Sequence, residues 1–165
     1  MEYHAAARFA ALSAFMPMAG VLFHHAIELY LKGLLCDRLD ERERRDLGHN
    51  LRRLWKLYKQ AVGATEDLSH FDRVIAEADG FERVRYPDRI IEHGIRTAIT
   101  FAREEFSDQS TPPRREPLYV VTVDEIDALA ALLWKHSRLN PRVFTMSFKE
   151  FTRDYLGQFN KSRFW

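Results

Sequence analysis

Glu28 and Lys32 stand four residues apart, acid before base, inside a nearly apolar stretch from Met16 to Cys36. On a helix that spacing places both on one ridge, in the favourable order for an ion pair. His24 lies on the same ridge one turn earlier. Ionisable groups held in apolar surroundings gather at functional sites. The same side chains can equally form a structural ion pair or extend to the helix edge. His24, His25 and Glu28 offer too few ligands for a metal, with no second cluster nearby in sequence, so no metal and no cofactor are expected. In Gly48-His49-Asn50-Leu51, His49 sits at a helix entrance, as a site residue or as a capping or loop histidine.

Another group of candidates is Arg83-Val84-Arg85-Tyr86-Pro87-Asp88-Arg89. Proline fixes the backbone. The Arg85 fork suits phosphate or carboxylate, and Tyr86 offers a ring for stacking and a hydroxyl. In the plainer reading Asp88 caps a helix and Arg85 is a surface ion-pair partner. Arg89, Arg96 and Arg103 recur every seven residues with His93 between them, a basic helical face balanced by Glu92, Glu104 and Glu105. The aromatic and basic residues from Phe144 to Trp165 could stack nucleotides, but their helical spacing favours packing. No Gly-rich phosphate loop, GxSxG elbow, HExxH or paired-cysteine zinc pattern is present.

The elements that carry these residues read as helices. Phe9, Leu12 and Met16 keep a helical period, and Pro17 breaks that run or opens a new helix. The second helix is expected from about Met18 to Leu39, apolar on most of its circumference and central to a bundle. A charged connector, Asp37 to Asp46, leads to a helix bearing Leu47, Leu51, Leu54, Tyr58 and Val62, stopped by Gly63. Ser69 can cap a fourth helix with Phe71, Val74, Ile75 and Ala78, ended by Gly80. Pro87-Asp88 opens a fifth with Ile91, Ile95, Ala98, Ala102 and Phe106 as its buried stripe. After a polar loop, Leu118 to Val123 is the one extended-looking run, expected to pack without a strand partner. Capping boxes at Thr122–Glu125 and Ser147–Glu150 would start two further helices.

The chain has 165 residues and a formal net charge of +1, with 46% hydrophobic and 30% charged residues. Those values fit a single globular domain and argue against a non-specific nucleic-acid coat or a polybasic membrane anchor. A lone Cys36 cannot close an intramolecular disulfide, which suits a reducing cytoplasm. The start Met1-Glu2-Tyr3-His4 is not a basic leader, and Glu28 and Lys32 would make a membrane span through Met16–Cys36 costly.

In order along the chain, Ala26-Ile27-Glu28, Leu31-Lys32, Leu34-Leu35, Gly48-His49-Asn50-Leu51 with Leu54, and Arg85-Tyr86-Pro87-Asp88 resemble the HEPN family (higher eukaryotes and prokaryotes nucleotide-binding) over about residues 1–106. The resemblance implies an up-and-down antiparallel helical bundle, usually a homodimer. Some members bind nucleotides and pair with a nucleotidyltransferase-type partner. Others are metal-independent ribonucleases of toxin–antitoxin and defence systems, which use an arginine, four to six residues and a histidine across the dimer cleft. That spacing is absent at the expected place: Arg89 and His93 are separated by three residues and Arg85 and His93 by seven. It occurs at His49 with Arg44 or Arg42, as a chain this rich in arginine produces by chance.

The expectation is therefore an all-α, HEPN-like bundle over residues 1–106 with two extra helices over 118–165, as an appendage or wrapped around it. It would bind a nucleotide or RNA segment through Arg85, Tyr86 and Asp88, with Glu28, Lys32 and His49 close by. A ribonuclease toxin using His93 and Arg89, and a non-catalytic adaptor for an antitoxin or other partner protein, are the alternatives.

Overall fold

The computed structural model describes residues 1–63, 66–86, 88, 91, 94–102 and 118–160. Helix α1 (Glu2–Leu12) packs along α2 (Met18–Leu34), the central helix, which Pro17 starts. A short α3 (Glu41–Asp46) lies in the charged connector and opens with a capping box of Asp40 and Glu43. Then come α4 (Leu51–Val62), a 3-10 turn (Ser69–Phe71), α5 (Asp72–Gly80) and a second 3-10 turn (Phe81–Arg85). Strands β1 (Arg96–Thr100) and β2 (Leu118–Thr122) precede α6 (Val123–Ser137), α7 (Arg142–Thr145) and α8 (Glu150–Leu156).

Packing follows the apolar periodicity. Phe23, Ile27 and Leu31, one per turn of α2, are fully buried against Leu51 and Leu54 of α4, Ile75 of α5 and Leu129 and Leu133 of α6. Gly63 ends α4 with a positive φ of 78°, the backbone region that glycine enters without steric cost. Among the described residues no helix is long and apolar enough to cross a membrane.

The chain is mostly helical, with one departure from an all-α bundle. The expected fifth helix holds only in part: Asp88 and Ile91 are helical, but Arg96–Thr100, where Ala98 was to continue its buried stripe, form β1, which pairs in parallel with β2 in the register Arg96↔Leu118 through Thr100↔Thr122. Gly94, with a φ of 64°, interrupts any helix entering this segment. Thr97, Ile99 and Thr100 then meet Tyr119, Val121 and Thr122, and such β-branched and aromatic residues prefer strands. Ile95 and Ala98 kept helical spacing only by coincidence. The extended run at Leu118 thus has the partner that the sequence did not suggest.

Boundaries differ in smaller ways. The second helix stops at Leu34, not Leu39. Ser69 caps nothing; its N–H donates to Asp67 and a 3-10 turn forms before α5. Neither later capping box forms. Thr122 precedes α6 without a side-chain cap bond, and α8 starts at Glu150 with Lys149 at its N-cap. A cap contributes about 1 kcal/mol, whereas each fully buried aliphatic side chain contributes about 1.5–3 kcal/mol. Val123, Leu129 and Leu133 are buried, so packing sets the start of α6. The same burial puts α6 in the common core, against α2, and not in a peripheral extension.

Candidate functional site

The apolar face of α2 turns Glu28 inward, where it is 3% exposed. Lys32, one turn on, donates from Nζ to Glu28 Oε1 at 2.7 Å. His49 arrives from the turn before α4 and places Nδ1 3.1 Å from Oε1 and 3.0 Å from Oε2. His25 Nδ1 lies 3.4 Å from Oε2. One buried carboxylate therefore gathers three basic side chains whose outer edges remain accessible: Lys32 at 25%, His25 at 34% and His49 at 44%. Among the described residues, no group of three or more His, Cys, Asp or Glu side chains is arranged to hold a metal.

His24 extends the cluster. Its Nδ1 lies 3.0 Å from the Ala78 carbonyl, to which it donates. Nε2 is thereby aimed at Glu28, 3.9 Å away, and at Glu82, 3.5 Å away. Arg85 closes the chain, with Nη1 3.8 Å from Glu82. The sequence-derived candidates thus come together in part. Glu28, Lys32 and His49 touch, while Arg85 joins them at one remove, through Glu82 and His24. Arg85 itself borders a separate apolar hollow of about 540 Å³ beside Phe15, Met18 and Val21. Tyr86 and Asp88 are exposed. His93 and Arg89 lie outside the described residues.

A second buried polar cluster lay unread in the sequence. Asp127 of α6, fully buried, accepts from His4 Nε2 at 2.8 Å and from Arg8 Nη1. Arg8, equally buried, also donates to the carbonyls of Leu156 and Gln158. Tyr30 Oη sits 3.4 Å from His4 Nδ1. With Nε2–H given to Asp127, Nδ1 is the acceptor and the Tyr30 hydroxyl the donor. Burial pushes Tyr30 up to about 12, so it keeps its proton. The available signals were a lone charge in the run Ala5–Leu12 and a carboxylate between Ile126 and Leu129. Glu82 was also missed, although it stands three residues before Arg85, within reach on a helical turn.

The two clusters set the acid response. Burial holds His4 below its usual 6.5, and this outweighs the opposing pull of Asp127. As pH falls through 6.5 the unfolded chain binds a proton at this position that the folded chain refuses, so stability declines. Burial alone would push the Glu28 carboxyl up, but the Lys32 and His49 hydrogen bonds and charges outweigh it and hold the group below 4.5. Its contribution is complete above 4.5 and is lost as pH drops through its lower folded value. Urea midpoints measured from about pH 7 to pH 3 should descend in two stages. His4→Asn should remove the upper stage, and Glu28→Gln should shrink the lower, to which Asp72, held below its usual value by Lys59, also contributes. If the His4→Asn profile runs parallel to wild type, the neutral buried histidine is wrong.

The arrangement can bind an anion between Lys32 and His49. It can also hold His49 in one tautomer: Nδ1–H donates to Glu28, which makes Nε2 the acceptor nitrogen of an exposed ring. Comparisons with protein-family models, with curated proteins and with solved structures find no match for the chain.

Proposed function

We propose that the chain is a HEPN-like helical-bundle protein that binds a nucleotide or an RNA segment as a homodimer, within a prokaryotic toxin–antitoxin or defence system. The observation that carries this reading is the Glu28 carboxylate holding Lys32 and His49 side by side with their outer edges open. One phosphate accepts from the remaining Lys32 protons, another phosphate of the same ligand reaches Arg85, and Tyr86 and Asp88 meet the base or sugar. A nucleotidyltransferase-type protein or an antitoxin is the partner this reading calls for.

A charge-assisted hydrogen bond is worth about 1.5–3 kcal/mol. Lys32→Ala and Arg85→Ala are each expected to weaken binding of ATP or a short oligoribonucleotide about 10-fold to 100-fold, by calorimetry or fluorescence anisotropy. Variants that fold normally and retain wild-type affinity rule the site out. Arg85 is 46% exposed and pairs loosely, so its removal should cost about 1 kcal/mol of stability or less. A purely structural adaptor role for Arg85 would instead require a large loss.

The oriented His49 supports a second reading, a metal-independent ribonuclease. A histidine with one nitrogen fixed by a carboxylate can accept and return a proton, and a nearby cation can stabilise the phosphorane-like transition state. Expression in a bacterial host separates the two readings. Growth arrest abolished by His49→Ala or His93→Ala identifies the enzyme and which histidine it uses. Harmless wild-type protein speaks for binding alone.

A further inference from the structure

Behind α2, away from Glu28, Lys32 and His49, a cleft of about 560 Å³ runs between α2 and α6. That is the size of small-ligand pockets, which combine apolar walls with a few placed polar groups. Ala26, Leu29, Tyr30 and Gly33 form one wall, at the one-turn spacing of a single α2 face. Leu133 and Trp134 of α6 form the other, and the Tyr30 and Trp134 rings meet at 5.9 Å, edge to face. Leu29 is 43% exposed although apolar. Tyr3 stands at the rim, its ring edge-on to His25.

Gly33 is the informative residue. It is the penultimate residue of α2, still helical, where most other residues would serve the helix at least as well. A Cβ built there meets no atom within 4 Å, so no neighbouring chain requires the glycine. The missing side chain leaves the floor of the cleft open.

The charge pattern selects the occupant. Both α2 and α6 end at the cleft, presenting the negative ends of two helix dipoles. The exposed Asp37 carboxylate adds a full negative charge. Among the described lining residues there is no lysine or arginine. The basic side chain that does line the cleft, His136, is engaged by Tyr58 and by Glu66, 3.1 Å away. Tyrosine and tryptophan faces also attract organic cations.

We propose that the cleft between α2 and α6 binds a small organic amine, its apolar body over Gly33 and against the paired Tyr30 and Trp134 rings and its ammonium group toward Asp37. The Tyr30 hydroxyl is engaged by His4, so the ring is presented in a fixed position. This site is independent of the nucleotide reading and stands or falls separately.

Isothermal titration of the full chain with phenethylamine, phenethyl alcohol and phenylpropionate tests it, since the three probes share a body and differ in charge. The amine should bind saturably and at least about tenfold tighter than the other two. Asp37→Asn should reduce the amine to the affinity of the alcohol. Gly33→Leu should abolish binding while leaving the melting temperature unchanged or raised, because leucine is the better helix former. Should the leucine variant not fold, the exposed Asp37→Asn still decides the matter. The proposal is overturned if the amine gives no saturable heat, if phenylpropionate binds as well, or if Asp37→Asn changes nothing. It is also overturned if sedimentation shows a wild-type dimer that Gly33→Leu dissociates, which would make the cleft a subunit interface.

Discussion

Asp127→Ala is expected to destabilise the fold by about 3–5 kcal/mol, the range for removing one partner of a buried ion pair. Arg8 and His4 both donate to this carboxylate, and all three side chains are buried. Without it the Arg8 guanidinium keeps its hydrogen bonds to the Leu156 and Gln158 carbonyls and the weaker attraction of Asp124, but loses the carboxylate it is paired with. A single domain typically has about 5–15 kcal/mol in total, so the variant loses a large fraction. Urea unfolding should register a lower midpoint with little change in slope. The double variant Arg8→Met/Asp127→Leu should be less damaging than Asp127→Ala alone, because apolar replacement removes the stranded charge as well. A loss below about 1 kcal/mol for the single variant, the level of an exposed pair, would contradict the burial of this cluster.

Gly20→Ala should destabilise as well, against the usual trend. In an unobstructed helix interior, alanine for glycine stabilises by about 0.5–1 kcal/mol. At Gly20 the added Cβ would overlap Cδ1, Cε1 and Cζ of the Phe81 ring. Phe81 is 1% exposed and packs against Tyr119 of β2, with ring centroids 5.6 Å apart, so it has nowhere to swing. Overpacking of this kind costs about 1–3 kcal/mol. Phe81→Leu in the Gly20→Ala background should recover part of the loss, giving a coupling energy of about 1 kcal/mol or more in a double-mutant cycle. Additive effects would mean that the ring yields elsewhere.

Helices and core were legible wherever the apolar period was long. Phe23, Ile27 and Leu31, and the stripe of Leu51, Leu54 and Tyr58, are buried as their spacing predicts. The parallel strand pair was not legible, because β1 and β2 are 17 residues apart in sequence and a strand gains its stability from a partner its own residues do not specify. For the same reason Val123 and Leu129 could not be assigned to the centre of the molecule: periodicity identifies a buried face but not the helix that covers it. At the candidate site the i, i+4 pair of Glu28 and Lys32 was readable, since both belong to one helix. His49 was expected close to Glu28 and Lys32 from motif order alone, and the contact itself, across 21 positions, is a product of the fold. Arg8 and Asp127, 119 positions apart, left only isolated charges in apolar runs, which do not name each other.

The partners of Arg8 also order events during synthesis. The residue leaves the ribosome early, but its carboxylate follows 119 residues later and its two carbonyls 148 and 150 residues later. Until then α1 carries a cation into a place where nothing neutralises it. The Arg8 side chain therefore finds its full set of partners only after Asp127, Leu156 and Gln158 have been made, although nascent domains commonly begin folding from the N-terminal side. A polypeptide truncated before Asp127 would keep α1 against α2 but hold the Arg8 cation without its carboxylate, which makes that helix pair the weakest part a quality-control chaperone or protease would meet.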